Sequence, residues 1–217
     1  MDAGGTDRPV VIAQLGQSLD GRIATVSGDS KYINGPSALD HLHRLRARVD
    51  AVVVGVGTLL ADDPLLTVRR VEGRSPARVV IDPTGRAPAD ARFFADDGAG
   101  RLVVCGDTAA VPKPAEAIRL PATGRSLCPR AIVAALAARG FRRILIEGGA
   151  RTISAFIDAG CVDRLHILLA PLILGSGKPG LDLRPITTLG EALRPATRTY
   201  PLEDGDVLFD CDLRRQP

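Results

Sequence analysis

The sequence predicts an α/β protein with one central, mostly parallel β-sheet, helices on its faces and an antiparallel hairpin at its carboxyl end. Apolar runs without polar alternation, such as residues 52–54 and residues 79–81 of the predicted strand 78–82, are typical of strands buried on both faces, as in parallel sheets. Segments with a helical spacing of apolar residues separate such runs, and this alternation favours a parallel α/β sheet. Two strand-like runs joined by Asp204-Gly205 predict the closing hairpin.

The composition is that of a globular protein. The chain has 217 residues, 45% of them hydrophobic and 24% charged, with a net charge of +3. We expect a disordered tail at residues 1–8 and a single domain at residues 9–217.

An aromatic content of 3% without tryptophan argues against a stacking surface for single-stranded nucleic acid. The cysteines form no C-x-x-C pair and the histidines have no metal-ligand spacing, so neither a disulfide framework nor a metal site is expected. With no signal sequence or membrane-spanning run, we expect a cytoplasmic protein without nucleic-acid or membrane partners.

The first elements are a strand and a helix. Residues 10–15 predict the strand, and Pro36 marks the start of the helix, with Ser37 and Asp40 at capping-box spacing. The side chains predicted to face inward are those of Leu39, Leu42, Leu45 and Val49. Those predicted to face outward are His41, His43, Arg44 and Arg48, with Arg46 at the flank of the apolar stripe.

The remaining elements alternate between strands and helices. Strands are predicted at residues 52–54, 78–82, 101–105, 144–147 and 165–174, the last broken by Pro171. Helices are predicted at residues 130–139 and 150–159, each closed by a left-handed glycine, Gly140 and Gly160. Residues 108–129 are expected to form a surface connection with one short strand. The closing hairpin spans residues 198–213.

Residues 51–70 have the features of the floor of a binding site. In open α/β sheets, ligands bind outside the carboxyl ends of the strands, and here a buried strand opens into two glycines. The motif G-V-G-T at residues 55–58 resembles the start of a dinucleotide fingerprint, but Leu60 stands where the third glycine belongs. Thr58 and Asp62 share a face if a helical turn follows. The alternatives are a helix N-cap for Thr58 and an exposed turn carboxylate for Asp62.

A second candidate is the turn Glu147-Gly148-Gly149, which joins a predicted strand directly to a helix. Unpaired amides and the helix dipole at such a helix start form an anion site suited to a pyrophosphate. The alternative is that the two glycines only form a tight turn. Because a carboxylate repels phosphate, we expect Glu147 to accept hydrogen bonds from a hydroxyl or amino group of a second ligand.

A third candidate set is formed by the cations Arg46 and Arg69 with the hydroxyl of Ser30, although nothing in their spacing shows that they converge. For each one alone, a solvated surface position is the alternative. The sequence contains no G-x-S-x-G elbow, P-loop, H-E-x-x-H or kinase motif. For an enzyme, this pattern favours chemistry carried by a bound cofactor.

Six segments in order along the chain resemble one known family: QLGQSLDGRIAT, SGDSKYI, LRARVDAVVVGVGTLLADDPLLTVR, RVVIDPTGR, ILIEGGARTISAF and LAPLILGSG. They are similar to the reductase domain of riboflavin biosynthesis, a member of the dihydrofolate-reductase-like fold. The resemblance covers about residues 9–213. It implies NADPH-dependent reduction of 5-amino-6-(5-phosphoribosylamino)uracil, a small phosphorylated substrate, with hydride delivered to C1 of the ribose. It also implies a homodimer.

The resemblance assigns residues to the site. Positions matching cofactor contacts are Gly16, Tyr32, Thr58, Asp62, Gly148, Gly149, Ala150, Arg151, Thr152 and Ile153. Positions matching substrate contacts are Ser30, Arg46, Leu66, Arg69 and Glu147. Of these, the resemblance implies that Ser30, Arg46 and Arg69 bind the sugar phosphate. Asp62 and Glu147 are the candidate catalytic residues for proton movement. No metal is implied.

Two departures from the family pattern keep alternatives open. Gln14 stands where many bacterial relatives have lysine in the first strand. The zinc signature of the deaminase that often accompanies this domain (H-x-E with P-C-x-x-C) does not occur, so we expect no deaminase activity. The alternatives are a paralogue that reduces another small molecule, such as a pterin, and a nucleotide-binding protein without turnover.

Overall fold

The computed structural model describes residues 8–214. Most of the predicted tail lies outside the described residues, and Arg8 pairs with Asp163 at 2.9 Å. The helices of the described part are Pro36–Arg46 (α1), Val56–Asp62 (α2), Pro129–Ala138 (α3) and Ala150–Asp158 (α4). The strands are Val10–Ser18 (β1), Arg22–Ala24 (β2), Ala51–Gly55 (β3), Ala77–Ile81 (β4), Arg101–Cys105 (β5), Glu116–Arg119 (β6), Ala122–Thr123 (β7), Ser126–Leu127 (β8), Arg143–Glu147 (β9), Arg164–Ala170 (β10), Lys178–Pro179 (β11), Ala196–Pro201 (β12) and Val207–Asp212 (β13).

One nine-stranded sheet organises the fold, in the order β12-β13-β10-β1-β9-β3-β4-β5-β6. All neighbours from β10 to β6 are parallel, whereas β13 is antiparallel to both β10 and β12. The predicted mostly parallel sheet with a closing antiparallel hairpin is therefore confirmed.

Helices cover both faces of the sheet, which explains why the apolar segments of its strands show no alternation with polar residues. Within β3, Val53 packs into the core on one face, and Val52 and Val54 pack into the core on the other. The first face also buries Ile132 of α3 and Phe156 of α4. A strand with both faces covered has no solvent side, so its sequence carries no polar positions.

The left-handed glycines predicted after the two later helices are confirmed, since Gly140 and Gly160 have φ of 87° and 63°. The break predicted at Pro171 is confirmed, since β10 ends at Ala170, but residues 172–174 of the predicted strand are not part of it. It is an interior strand, paired with β1 and β13. No helix within residues 8–214 combines the length and apolar composition needed to cross a membrane.

Three local predictions were wrong. Residues 108–129 form three strands: β6 extends the main sheet beside β5, and β7 and β8 form a small hairpin. The capping box predicted at Ser37 and Asp40 does not form. Gly35 is the N-cap residue of α1, and the Ser37 amide donates to Asp204 at the hairpin tip, at 2.7 Å. His43 is 2% exposed and does not face outward. Its Nδ1 accepts a hydrogen bond from the backbone amide of Arg69 at 3.1 Å.

Candidate active site

A cleft of about 830 Å³, which we call the central cleft, opens at the carboxyl ends of the adjacent strands β1, β9 and β3. Helices α1 and α2, the start of α4 and the loop after β2 complete its walls. Every residue predicted for the site lines this cleft except Arg151 and Thr152. Arg151 is exposed, and the Thr152 hydroxyl instead lies against Gly55, at the start of α2.

A buried ion pair joins α1 to the end of β9 at the base of the cleft. Arg46 Nε and Nη2 donate to Glu147 Oε1 and Oε2 at 2.7 and 2.6 Å, and the two side chains are each 7% exposed. Arg46 Nη1 also donates to the Thr67 carbonyl at 3.1 Å. Burial alone would lower the pKa of Arg46, but the Glu147 carboxylate outweighs burial and raises it. Three of the five Arg46 N–H groups are therefore committed to protein acceptors.

The turn between β9 and α4 combines a tight bend with free amides. Gly148 and Gly149 have φ of 61° and 74°, and a Cβ at Gly149 would lie 2.8 Å from the Thr58 hydroxyl. No side chain caps α4, so the amides of Ala150 and Arg151 have no partner among residues 8–214. These amides and the positive end of the nine-residue helix form a cradle for an anion.

Helix α2 places Thr58 and Asp62 in the cleft, one turn apart. Gly55 is the N-cap residue, so Thr58 lies inside the helix and is not its cap. Burial raises the pKa of Asp62, opposed by the positive charges of Lys178 and Lys31. A carboxyl group with this shift is suited to proton transfer.

The loop after β2 brings Ser30 and Tyr32 to the rim of the cleft. Tyr32 has a φ of 64°, a backbone conformation that is unfavourable for an aromatic residue. Its side chain is 89% exposed. Asn34 Nδ2 anchors the loop by donating to the Leu168 carbonyl at 3.1 Å and to Asp206 Oδ2 at 3.0 Å.

Gly16 lies directly below this loop. A Cβ at Gly16 would overlap the side-chain oxygen of Asn34, so only glycine lets the loop approach β1 this closely.

Several cleft residues were not assigned to the site by sequence reasoning. Gln14, noted only as a departure from the family pattern, is 6% exposed and lines the cleft, and its side chain makes no hydrogen bond with the described part of the chain. Its signal was available, because an unpaired amide in an otherwise apolar strand is costly unless a ligand satisfies it. Asn34, Lys31 and Arg92 also line the cleft, and no local pattern distinguished them from surface residues.

Comparison with known proteins identifies a family over most of the chain. The model of the RibD C-terminal domain matches residues 9–197. The 2,5-diamino-6-ribosylamino-4(3H)-pyrimidinone 5′-phosphate reductase of Methanothermobacter thermautotrophicus is 34% identical, over 95% of this chain and 99% of that protein.

Solved structures are similar to this chain in overall fold. A deaminase/5-amino-6-(5-phosphoribosylamino)uracil reductase from Thermotoga maritima is similar with a TM-score of 0.79 and 28% identity, over 94% of this chain and 56% of that chain. This chain thus spans a little over half of that bifunctional protein. Dihydrofolate reductase from Enterococcus faecalis, 14% identical, is similar in fold with a TM-score of 0.51 over 94% of this chain and 96% of its own. The predicted dihydrofolate-reductase-like fold is confirmed.

Proposed function

The chain belongs to the RibD C-terminal domain family, and we propose that it is an NADPH-dependent reductase of riboflavin biosynthesis acting on 5-amino-6-(5-phosphoribosylamino)uracil. The observation that carries this proposal is the composition of the central cleft. The cleft is lined by the start of helix α4 with its free amides, by the cations Arg46 and Arg69, and by Asp62, whose carboxyl group has a raised pKa.

The chain's own residues suit a nicotinamide dinucleotide. The cradle at Gly149 would be filled by a Cβ, and the amides of Ala150 and Arg151 are free to hold a pyrophosphate. Gly16 and Tyr32, which line the same cleft, match family positions that would also hold the cofactor. When bound, the cofactor supplies the hydride. Preference for NADPH over NADH rests on the family resemblance.

The substrate side of the cleft has a phosphate end and a proton donor. We assign the phosphate to Ser30 and Arg69, with Leu66 beside them and Arg46 contributing the N–H groups that Glu147 and the Thr67 carbonyl leave free. The remaining lone pairs of Glu147 accept hydrogen bonds from the substrate.

Reduction breaks the bond between C1 and the ring oxygen of the ribose, and that oxygen takes a proton to become a hydroxyl. We assign this proton to Asp62, because its raised pKa keeps more of the carboxyl protonated than at an ordinary position. The protein's remaining contribution is to position the reactants and exclude water.

A second candidate substrate is 2,5-diamino-6-ribosylamino-4(3H)-pyrimidinone 5′-phosphate, which carries an amino group in place of the C2 oxygen. It is favoured by the extent of similarity, since the relative named for it aligns over 99% of its length. The bifunctional protein named for the uracil aligns over 56%.

The test is NADPH oxidation at 340 nm with each pyrimidine. The pyrimidine that supports the faster oxidation of NADPH is assigned as the substrate. Arg69→Ala is expected to raise KM for that substrate sharply, because a charge-assisted contact to phosphate is lost. The matched control is Arg70→Ala, whose guanidinium pairs with Asp40 at 2.6 Å outside the cleft. Binding of NADPH without turnover of either pyrimidine would refute the assignment, and would favour a reductase of another molecule, such as a pterin, or a nucleotide-binding protein.

We further propose a cytoplasmic homodimer. All six residues of β12 are exposed, and its outer edge has no partner strand among residues 8–214. Tyr200 of β12 is an exposed aromatic side chain. An exposed edge strand that carries such a side chain favours pairing with a second copy. The cysteines are free thiols, the state that a reducing cytoplasm maintains. Light scattering of the purified protein measures its mass in solution. A mass of two chains supports the homodimer, and a mass of one chain refutes it.

A further inference from the structure

Two arginines of the central cleft have no carboxylate partner. Arg69 and Arg92 both line the cleft, and neither guanidinium forms an ion pair or hydrogen bond with the chain between residues 8 and 214. Arg46, by contrast, is neutralised by Glu147 at 2.6 Å. Among the cleft's arginines, the positive charge available to an anion therefore lies on Arg69 and Arg92 more than on Arg46. Lys31, in the loop after β2, also lines the cleft.

We propose that Arg92 is the second guanidinium that binds the substrate's phosphate, together with Arg69, and that Arg46 serves mainly as the counter-ion of Glu147. This assignment rests on the proposed function and extends it to a residue that no sequence motif identified. Arginine forks match the oxygen geometry of a phosphomonoester, and two forks can share its three terminal oxygens.

The fold positions Arg92 through its backbone. The Arg92 amide donates to Asp63 Oδ1 at 2.8 Å. Asp63 follows α2 in the left-handed conformation, with φ of 39°, and Leu66 has φ of 55°. Two non-glycine residues with positive φ within four positions are unusual, and such strain persists where surrounding structure enforces it.

A buried arginine ties together the two segments that carry the cations. Arg78 is fully buried, and its Nη1 donates to the Leu65 carbonyl at 3.4 Å. Its Nη2 donates to the Ala95 carbonyl at 2.8 Å and to Asp97 at 2.7 Å. Residue 65 belongs to the loop that leads to Arg69, and residue 95 directly follows the short 3₁₀ helix that begins at Arg92. Arg78 therefore couples the positions of both segments.

The electrostatics agree with an anion between these groups. Burial, and then the positive charges of Arg46, Arg92 and Arg70, lower the pKa of Arg69, with Glu147 opposing weakly. Like charges held close together without an anion destabilise each other, and a dianionic phosphate removes that repulsion. The Asp63 carboxylate accepts a hydrogen bond from the Arg92 backbone amide but forms no ion pair with either guanidinium among residues 8–214.

The experiment compares Arg92→Ala, Arg92→Lys and a control, Arg125→Ala, whose side chain is exposed in the turn between β7 and β8. For the phosphorylated pyrimidine, Arg92→Ala is expected to raise KM roughly tenfold or more, and Arg92→Lys to recover part of the loss. KM for the dephosphorylated nucleoside, and KM for the control variant, are expected to stay at the wild-type value.

Three outcomes would overturn the assignment: an unchanged KM for the phosphorylated substrate, an equal rise for the nucleoside, or a rise in KM for NADPH but not NADH. The last would assign the phosphomonoester to the cofactor. If the wild type turns over neither pyrimidine, the proposed function fails separately, and calorimetric titration with ribose 5-phosphate tests the phosphate site. Binding to the wild type that weakens in Arg92→Ala supports the site. Equal binding, or none, refutes it.

Discussion

Removing one partner of the Arg46–Glu147 pair is expected to destabilise the whole domain. Glu147→Gln leaves the Arg46 guanidinium, 7% exposed, without its carboxylate, and Arg46→Met leaves the carboxylate without its cation. Stranding a buried charge costs about 3–5 kcal/mol. For a domain of this size, that corresponds to a fall in Tm of roughly 6–20 °C.

The assay is equilibrium unfolding in urea, with Arg70→Met as the matched control. The Arg70–Asp40 pair has the same 2.6 Å separation, but its side chains are 37% and 33% exposed. Exposed pairs contribute about 0–1 kcal/mol, so the control isolates the effect of burial. A double variant, Arg46→Met/Glu147→Met, is expected to be more stable than either single variant, since neither charge is left unpaired. Single variants that lose no more stability than the control would refute the reasoning.

Three further predictions concern single residues. Gly149→Ala is expected to weaken NADPH binding in a fluorescence titration, because its Cβ would lie 2.8 Å from the Thr58 hydroxyl. Gly124→Ala, with positive φ but no atom within 4 Å, controls for backbone strain alone. Burial lowers the pKa of His43 from 6.5 to about 4, so up to about 3 kcal/mol of stability, fully present above pH 6.5, is lost as the pH falls towards 4. His43→Asn should flatten that dependence in urea unfolding, and an unchanged slope would contradict it. Asp62→Asn is expected to lower kcat at neutral pH and to abolish the decline of kcat as pH rises through the raised pKa of Asp62; a variant that keeps the wild-type profile would exclude Asp62 as the proton donor.

The elements that sequence patterns predicted are those that depend on near neighbours. The valine run of β3 is buried on both faces, as its lack of polar positions predicts. Gly140 and Gly160 have the left-handed conformation expected after a helix, and β10 ends before Pro171. Each of these depends on backbone sterics or on strand periodicity, which a short window of sequence contains.

The local predictions that were wrong involve contacts between distant segments. The Ser37 amide is satisfied by Asp204, 167 positions away, so no capping box forms. His43 is buried, and its ring accepts a hydrogen bond from the backbone amide of Arg69, 26 positions away. Neither partner is visible in a helical periodicity, which records only which face of a helix is apolar.

The sequence by itself determined a parallel α/β sheet, a glycine-rich turn at the start of a helix, and the set of residues from which a cleft is built. Only the tertiary structure decided how the charges in that cleft are shared. Arg46 pairs with Glu147, 101 positions away, while Arg69 and Arg92 have no such partner within residues 8–214. The reason is that ion pairing depends on the register of strands and the rotation of helices, which bring distant side chains within 3 Å, and local spacing does not specify either.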